Sequence, residues 1–431
     1  MKLVADLQIH SKYSRAVSPE MVLENLDKWA KIKGINVLGT GDLTHPLWLK
    51  EIKQKLEPAE PGLFKLKKEC KVDSFGRLDN EVEPRFMLTG EISCIYSKGG
   101  KVRRVHHLYL VPDIETAEKI NAKLSFIGNL KSDGRPILGL DSKKFLEICL
   151  EASPDVMIIP AHAWTPWFSI FGSKSGFDSI EECFDDLSKY IYAVETGLSS
   201  DPAMNWRLSQ LDNVALVSNS DSHSPTRIGR EANVFDTELS YQRIVEAIKS
   251  RDPNKFLFTV EFFPEEGKYH YDGHRLCNIS FDPEETKKHN FLCPKCGRSL
   301  TVGVLARVAE LADRPNGFKP ARAVSYKNVI PLDQIISDSI GLSVTSNTGW
   351  PKRVLYEYEK LIKSFGNEFN VLLNTSADNL EKSTLPEIAE GITKVREGLV
   401  HIEPGFDGEY GKIRIFTADE RKNASKQGQL L

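Results

Sequence analysis

Between residue 1 and about 260, short apolar runs alternate along the chain with stretches of helical period. The runs are Leu3 to Ile9, Ile35 to Thr40, Phe86 to Ile92, His107 to Val111, Val156 to Pro160, Ile191 to Glu195 and Val214 to Ser218. Near-continuous hydrophobicity of this kind suits strands covered on both faces. Helical patterns at Pro19 to Lys33, Ser142 to Glu151 and Tyr241 to Ser250 follow the first, fourth and seventh runs, so the reading is a series of parallel βα units. A distorted seven-stranded α/β barrel is the expected architecture, with an open doubly wound sheet as the alternative. In the first run Asp6, Gln8 and His10 alternate with Ala5, Leu7 and Ile9, which places an acid, an amide and an imidazole on one strand face.

The pattern breaks twice. The charged stretch Leu49 to Pro84 reads as a surface excursion between the second and third runs. From about residue 261 a cysteine-bearing insert replaces the alternation, and a helical pattern follows over Val304 to Ala312. The last region mixes helices with a closing hairpin in HIEPGFDGEYGKIRIF. One helix is expected over Pro351 to Ser364, and another over Leu385 to Glu397 behind a capping box of Thr384 and Glu387. Three parts result: 1–260, 261–315 and a smaller α+β part, 316–431.

Composition narrows the class. At 40% hydrophobic and 27% charged residues the chain is globular, and a net charge of −3 gives no global nucleic-acid footprint. Lys2 has no apolar h-region behind it and no run approaches the ~20 apolar residues of a membrane span, so a cytoplasmic protein with no membrane partner is expected. Seven cysteines argue against a disulfide scaffold. Cys277, Cys293 and Cys296 cluster, whereas Cys70, Cys94, Cys149 and Cys183 are scattered and read as ordinary thiols.

Six of the ten histidines fall in the first 223 residues, nearly all at the ends of the expected strands. His10 closes the first run, Asp42 and His45 follow the second, and Glu91 lies in the third. His106 or His107 belongs to the fourth, with His107 preferred. His162, Glu195, and Asp221 with His223 follow the last three. In a barrel these ends converge on one face, and so many acids and imidazoles would be costly to bury without cations. Mixed imidazole and carboxylate ligands suit Zn, Mn or Fe, with Mg a further candidate; the expected ligands are Gln8, His10, Asp42, His45, Glu91, His107, His162, Asp221 and His223. Gln8 stands out because an amide is a poor ligand. Ions held this way suit hydrolysis of a phosphate ester, with Glu91 as the bridging carboxylate and Glu91, Asp221 and His223 as the catalytic group; no GxSxG or Walker A pattern offers another route.

His274, Cys277, Cys293 and Cys296 have the spacing of a closed tetrahedral zinc site, with His270 and His289 as competitors for the histidine position. Around them the charge reverses. From Lys268 to Lys327 there are eleven Lys or Arg against six Asp or Glu, a local +5. The run RPNGFKPARAVSYK is extended, basic and aromatic-bearing, so Arg314, Lys319, Arg322, Tyr326 and Lys327 are candidate nucleic-acid contacts, with a solvated surface as the alternative.

DLQIHSKYS, GTGD, the Glu91 and His107 strands, His162 and SDSH together resemble the polymerase and histidinol phosphatase (PHP) fold. That resemblance implies a seven-stranded barrel and a trinuclear metal centre for phosphoester hydrolysis. It departs at position 8, where Gln8-x-His10 replaces His-x-His. With the YHYDGHRLC and CPKCG segments, LTVGVLARVAELADRP and PGFDGEYG added, nearly the whole chain resembles the endonuclease Q family. The resemblance implies cleavage of double-stranded DNA on the 5′ side of hypoxanthine, uracil or xanthine and at abasic sites, in company with other repair factors. Such an enzyme inspects a base out of the stack; Asn347, Trp350 and Tyr326 are offered for that pocket, with core packing as their competing role. A small-molecule phosphoesterase of the histidinol-phosphatase type and a lesion-binding protein with a centre impaired by Gln8 are the alternatives.

Overall fold

The computed structural model describes residues 1–73, 83–342, 349–417 and 420. All seven apolar runs contain strands: Lys2–Asp6, Val37–Gly39, Arg85–Lys98, Lys101–Val111, Met157–Pro160, Ala193–Glu195 and Ala215–Val217. Two strands that the pattern did not separate, Ala232–Asp236 and Phe256–Glu261, extend the same sheet. The fold is mixed α/β, built on one large sheet.

Strand direction departs from expectation. Lys2–Asp6 and Val37–Gly39 are parallel, and Val37–Gly39 runs parallel to the start of Arg85–Lys98. Arg85–Lys98 and Lys101–Val111, however, are the two arms of an antiparallel hairpin, turned by Gly99 and Gly100 at φ 62° and 72°. Positive φ at both turn residues is what a tight two-residue hairpin demands, and glycine meets it without a Cβ clash. Met157–Pro160 joins the second arm antiparallel, and Ala232–Asp236 lies antiparallel to Lys2–Asp6. Hydrogen bonding does not close the strands into a barrel among the described residues, because Ala193–Glu195 and Ala215–Val217 pair only with each other.

What the strands share is a core. Leu3, Ala5, Leu7, Val37, Met87, Leu108, Leu110, Met157, Ile159, Ala193, Ala215 and Val217 pack in one buried cluster, so alternate residues of all seven strands face the same interior. The opposite faces pack under the helices Leu23–Lys33, Ser142–Ala152 and others in a second cluster. A third, from Ile330 to Phe416, is made by the helices Leu332–Ser339, Lys352–Phe365, Glu368–Leu373 and Pro386–Arg396, with Ile32 and Phe263 reaching in.

Several local expectations change. Part of the Leu49 to Pro84 excursion is sheet: Leu63–Leu66 adds antiparallel to Arg85–Lys98, and Leu56–Pro58 adds to Leu63–Leu66. The capping box is absent. Leu385 precedes the helix Pro386–Arg396, and the Thr384 hydroxyl donates to Glu357 at 2.8 Å. The last region is mostly helical, with one short hairpin of His401–Glu403 and Lys412–Arg414. No helix among the described residues is long and apolar enough to cross a membrane.

Candidate active site

The first strand ends at Asp6, and Asp6 does not share the face of Gln8 and His10. Its two carboxylate oxygens accept the backbone N–H groups of Ser220 and Gly229, at 3.0 and 2.8 Å. Beyond it the chain runs along residues 219–222: Leu7 N–H donates to Asn219 Oδ1 and His10 N–H to Ser222 O. That pairing brings His10 to Asp221 and His223.

The hairpin decides the fourth strand. Ser93 lies directly opposite His106, and Ile92 opposite His107. Residues opposite one another share a face, and Glu91 shares that of Ser93, so His106 joins Glu91 while His107 turns away. The structure thus brings His106, and not the expected His107, to Glu91. His107 Nε2 lies 2.8 Å from the Ser142 hydroxyl, and its ring packs near Phe145 and Phe184; burial holds it neutral, with its pKa lowered to about 3.

Two triads of possible ligands result. Glu91, His106 and His162 form one, and His10, Asp221 and His223 the other, with the ligand atoms of each within 4.8 Å of one another. Glu91 joins them. Its Oε1 is 2.8 Å from His106 Nδ1 and 3.6 Å from His162 Nε2, and its Oε2 is 3.2 Å from His10 Nε2, which in turn lies 2.9 Å from Asp221 Oδ1. Buried Asp221 Oδ1 has no hydrogen-bond partner despite that approach, and His106 Nδ1 faces His162 Nε2 at 3.2 Å. Imidazole nitrogens and carboxylate oxygens converging at this spacing are the donor set that suits a cation in each triad. Burial opposes charge on Glu91, yet Arg135 and His106 hold its carboxyl well below the usual range; burial also opposes charge on His10, but Asp42 and Asp221 raise its pKa well above the ordinary one.

The remaining expected ligands stand behind these. Asp42 Oδ1 is 2.9 Å from His10 Nδ1, and its Oδ2 accepts Ser11 N–H and the hydroxyls of Ser11 and Ser14. It orients His10 from the side away from Glu91, the usual place of a carboxylate behind a ligating imidazole. His45 stacks on Tyr13 at 4.3 Å and joins neither triad. Glu195 accepts His162 N–H and the Asn219 side-chain amide, both at 2.8 Å; burial raises its carboxyl to about 8. Asp42, His162 and Asp221 have φ of 48°, 31° and 45°, a left-handed strain of ~1–3 kcal/mol each that persists where surroundings over-determine the backbone. At Gln8, Nε2 donates to Glu91 Oε2 at 3.0 Å and Oε1 has no hydrogen-bond partner.

The four module residues converge as expected. His274, Cys277, Cys293 and Cys296 form one group of ligand atoms within 4.8 Å, on the hairpin Asp272–His274 and Ile279–Phe281, the turn Arg275–Cys277, and a knuckle closed by Gly297 N–H on Cys293 O. His270 stacks on Tyr271 and His289 on Phe281 instead. Burial works against a thiolate at Cys293, but the N–H groups of Lys295 and Cys296 bring the thiol down to about 6. A soft thiolate set with one imidazole fits structural zinc.

The basic run takes another form than a free strand. Arg314 makes a bidentate pair with Asp212, at 2.7 and 2.5 Å, and stacks over Phe318. Lys319 lies over Trp206, and Arg322 lines a cavity of about 290 Å³ with that tryptophan. Tyr326 and Lys327 belong to the strand Ser325–Asn328, parallel to Phe256–Glu261 at the sheet edge. Trp350 packs between Trp29 and Tyr358, and Asn347 lies outside the described residues.

Residues 331–399 match the family described as the MJ0043 C-terminal domain. The chain is 38% identical over 260 residues to the uncharacterized protein MJ0043 of Methanocaldococcus jannaschii, covering 58% of this chain and 31% of that protein. It is 31% identical over 317 residues to the uncharacterized protein YqxK of Bacillus subtilis, covering 72% of this chain and 74% of that one. The crystal structure of the lesion-specific endonuclease PfuEndoQ from Pyrococcus furiosus superposes with a TM-score of 0.82, at 30% identity over 99% of both chains. The chain belongs to the endonuclease Q family. An endonuclease Q structure in complex with a 27-mer duplex, an abasic lesion at its active site, has the same TM-score at 31% identity over 98% of both chains.

Two residues of this endonuclease Q chain escaped the sequence reading. His106 was passed over for its neighbour. Arg135 carried only the signal of a DGRP turn, yet its Nη1 stands 3.3 Å from Glu91 Oε1 and 3.4 Å from His10 Nε2.

Proposed function

We propose that this chain hydrolyses a DNA phosphodiester on the 5′ side of a deaminated base (hypoxanthine, uracil or xanthine) or at an abasic site. The observation that carries the reading is Glu91, whose two oxygens face His106 and His162 on one side and His10 on the other. Divalent ions held there, Zn, Mn, Mg or Fe, would lower the pKa of a shared water and polarise the phosphate. Glu91, His106 and His162 would hold one ion; His10, Asp221 and His223 the other; Asp42 fixes the His10 ring and Glu195 the His162 backbone. Asp221 and His223, at the more open edge, face the substrate.

Support for a DNA substrate comes from likeness over the full chain, including the helices of 331–399, to a protein captured on an abasic duplex. We read the seven strands as an irregular PHP-type barrel spanning 1–260, followed by a zinc module at 261–315 and a DNA-reading part at 316–431. The shared interior core supports the first, the His-Cys-Cys-Cys group the second. Lys319, Arg322, Tyr326 and Lys327 are proposed backbone contacts, with Arg314 bracing them through Asp212. A lesion-binding protein with an impaired centre is the second reading, favoured by the amide donated from Gln8 to Glu91.

Duplexes with one deoxyinosine, deoxyuridine or abasic site, set beside a small phosphate monoester, test the choice. The proposed activity nicks the duplexes and leaves the monoester intact. The reverse pattern establishes the small-molecule alternative, and tight binding without nicking establishes the second reading.

A further inference from the structure

Position 8 and Arg135 meet at one carboxylate. Gln8 presents its amide nitrogen to Glu91 Oε2 at 3.0 Å. With no ion between the two side chains, the opposite amide orientation would set oxygen against carboxylate oxygen. Arg135 Nη1 stands 3.3 and 3.5 Å from the two Glu91 oxygens and 3.4 Å from His10 Nε2. Two donors thus occupy the side of Glu91 and His10 where an ion shared by position 8 would need lone pairs. Asp42 and His45 supply no substitute, since Asp42 is engaged by His10, Ser11 and Ser14, and His45 lies against Tyr13.

The guanidinium is built into place. Gly134 N–H donates to Tyr13 O, Ser93 N–H donates to Pro136 O, and Arg135 N–H donates to Asp133 Oδ1. The loop lies so close to the site that a Cβ on Gly134 would fall 2.1 Å from Asp42 Oδ2. With 27% of its side chain exposed, Arg135 is open toward solvent while one nitrogen is fixed inside. A planar, permanently charged fork beside two ion triads matches a phosphate that bridges them.

We infer that Arg135 is a catalytic residue that holds the scissile phosphate, and that it takes the place of a metal ion, so the centre of this chain binds two ions where the PHP resemblance implies three. The inference rests on the phosphodiesterase reading for its substrate but not for its measurement. The protein holds the phosphate through Nη2 and the free edge of Nη1, while Glu91 and the amide of Gln8 keep that edge aimed.

The test uses the full chain loaded with Mn, and needs no DNA. Metal analysis by mass spectrometry counts ions, and calorimetry reads the affinity for inorganic phosphate. The unsubstituted chain carries two centre ions besides the one in the cysteine module. Arg135→Ala keeps those ions and weakens phosphate binding by at least ~10-fold, and Arg135→Lys restores part of it. On a lesion duplex Arg135→Ala lowers kcat by ~10²–10³-fold with a smaller change in KM. Three centre ions in the unsubstituted chain, or equal phosphate affinity in Arg135→Ala with its ions retained, overturns the inference. Loss of ions in Arg135→Ala also overturns it, since the arginine would then only support the ligands. Arginine-dependent phosphate binding in a chain that nicks no duplex leaves this inference standing and removes the endonuclease reading.

Discussion

His106 Nδ1 lies 2.8 Å from Glu91 Oε1, across a hairpin whose register turns the adjacent His107 to the opposite face. Two neighbouring histidines therefore have separable roles. His106→Ala removes one of the two centre ions and lowers nicking by more than the ~10–100-fold typical of changing an outer partner. His107→Ala leaves nicking within a few-fold but opens a cavity beside Phe145 and Phe184 and removes one of the partners of Ser142, which keeps the Tyr96 hydroxyl, at ~2–3 kcal/mol of stability. Metal counting, nicking rate and thermal unfolding on both variants check the split.

Asp42 acts through His10. Asp42→Asn keeps the shape but places an amide where the carboxylate now meets His10 Nδ1, Ser11 and Ser14. Metal affinity should fall ~10–100-fold with little change in fold, and raised Mn should recover most of the nicking rate. A variant that excess Mn cannot restore would mean that Asp42 does more than orient the ring.

The cysteine module should respond separately from the centre. Cys293→Ser should release one zinc per chain and expose the segment between His274 and Cys296 to protease, because the knuckle depends on the four ligands meeting. The two centre ions stay bound. Released zinc can be read with a colorimetric chelator and cleavage by mass spectrometry.

Burial, reinforced by Asp201, holds the Glu261 carboxyl well above its ordinary value, although the hydroxyls of Thr259 and Thr196 donate to it. The folded chain then binds this proton more tightly than the unfolded chain, so stability falls as pH climbs from the ordinary carboxyl value toward the raised one. Glu261→Gln removes the penalty. Its gain in unfolding free energy should be near zero at pH 4 and grow above it, by ~1.4 kcal/mol for each pH unit over which the two states differ, with Tm rising in step. A gain independent of pH would refute the assignment.

Much of this was legible from the chain, and the reason for each gap is physical. Apolar runs located seven strands because burial on both faces leaves a continuous signal. Direction was not legible from hydrophobicity, though Gly99-Gly100 between two β-rich runs is itself the mark of a two-residue hairpin. Missing that turn led to His107 in place of His106, since only the register tells which of two adjacent residues shares the face of Glu91. Asp6 was misplaced because period-two alternation was carried past the strand's end. Arg135 sits on an irregular loop, where no periodicity points a side chain. The cysteine module was readable because ligand spacing is local.

The most direct measurement is nick mapping on an end-labelled duplex with one deoxyinosine, deoxyuridine or abasic site, using metal-loaded protein, its EDTA-treated form and an undamaged duplex. The account predicts one nick on the 5′ side of the lesion, absent with EDTA and absent from undamaged DNA. Intact lesion duplexes at every Mn, Mg and Zn concentration, with two centre ions confirmed by metal analysis, would contradict it.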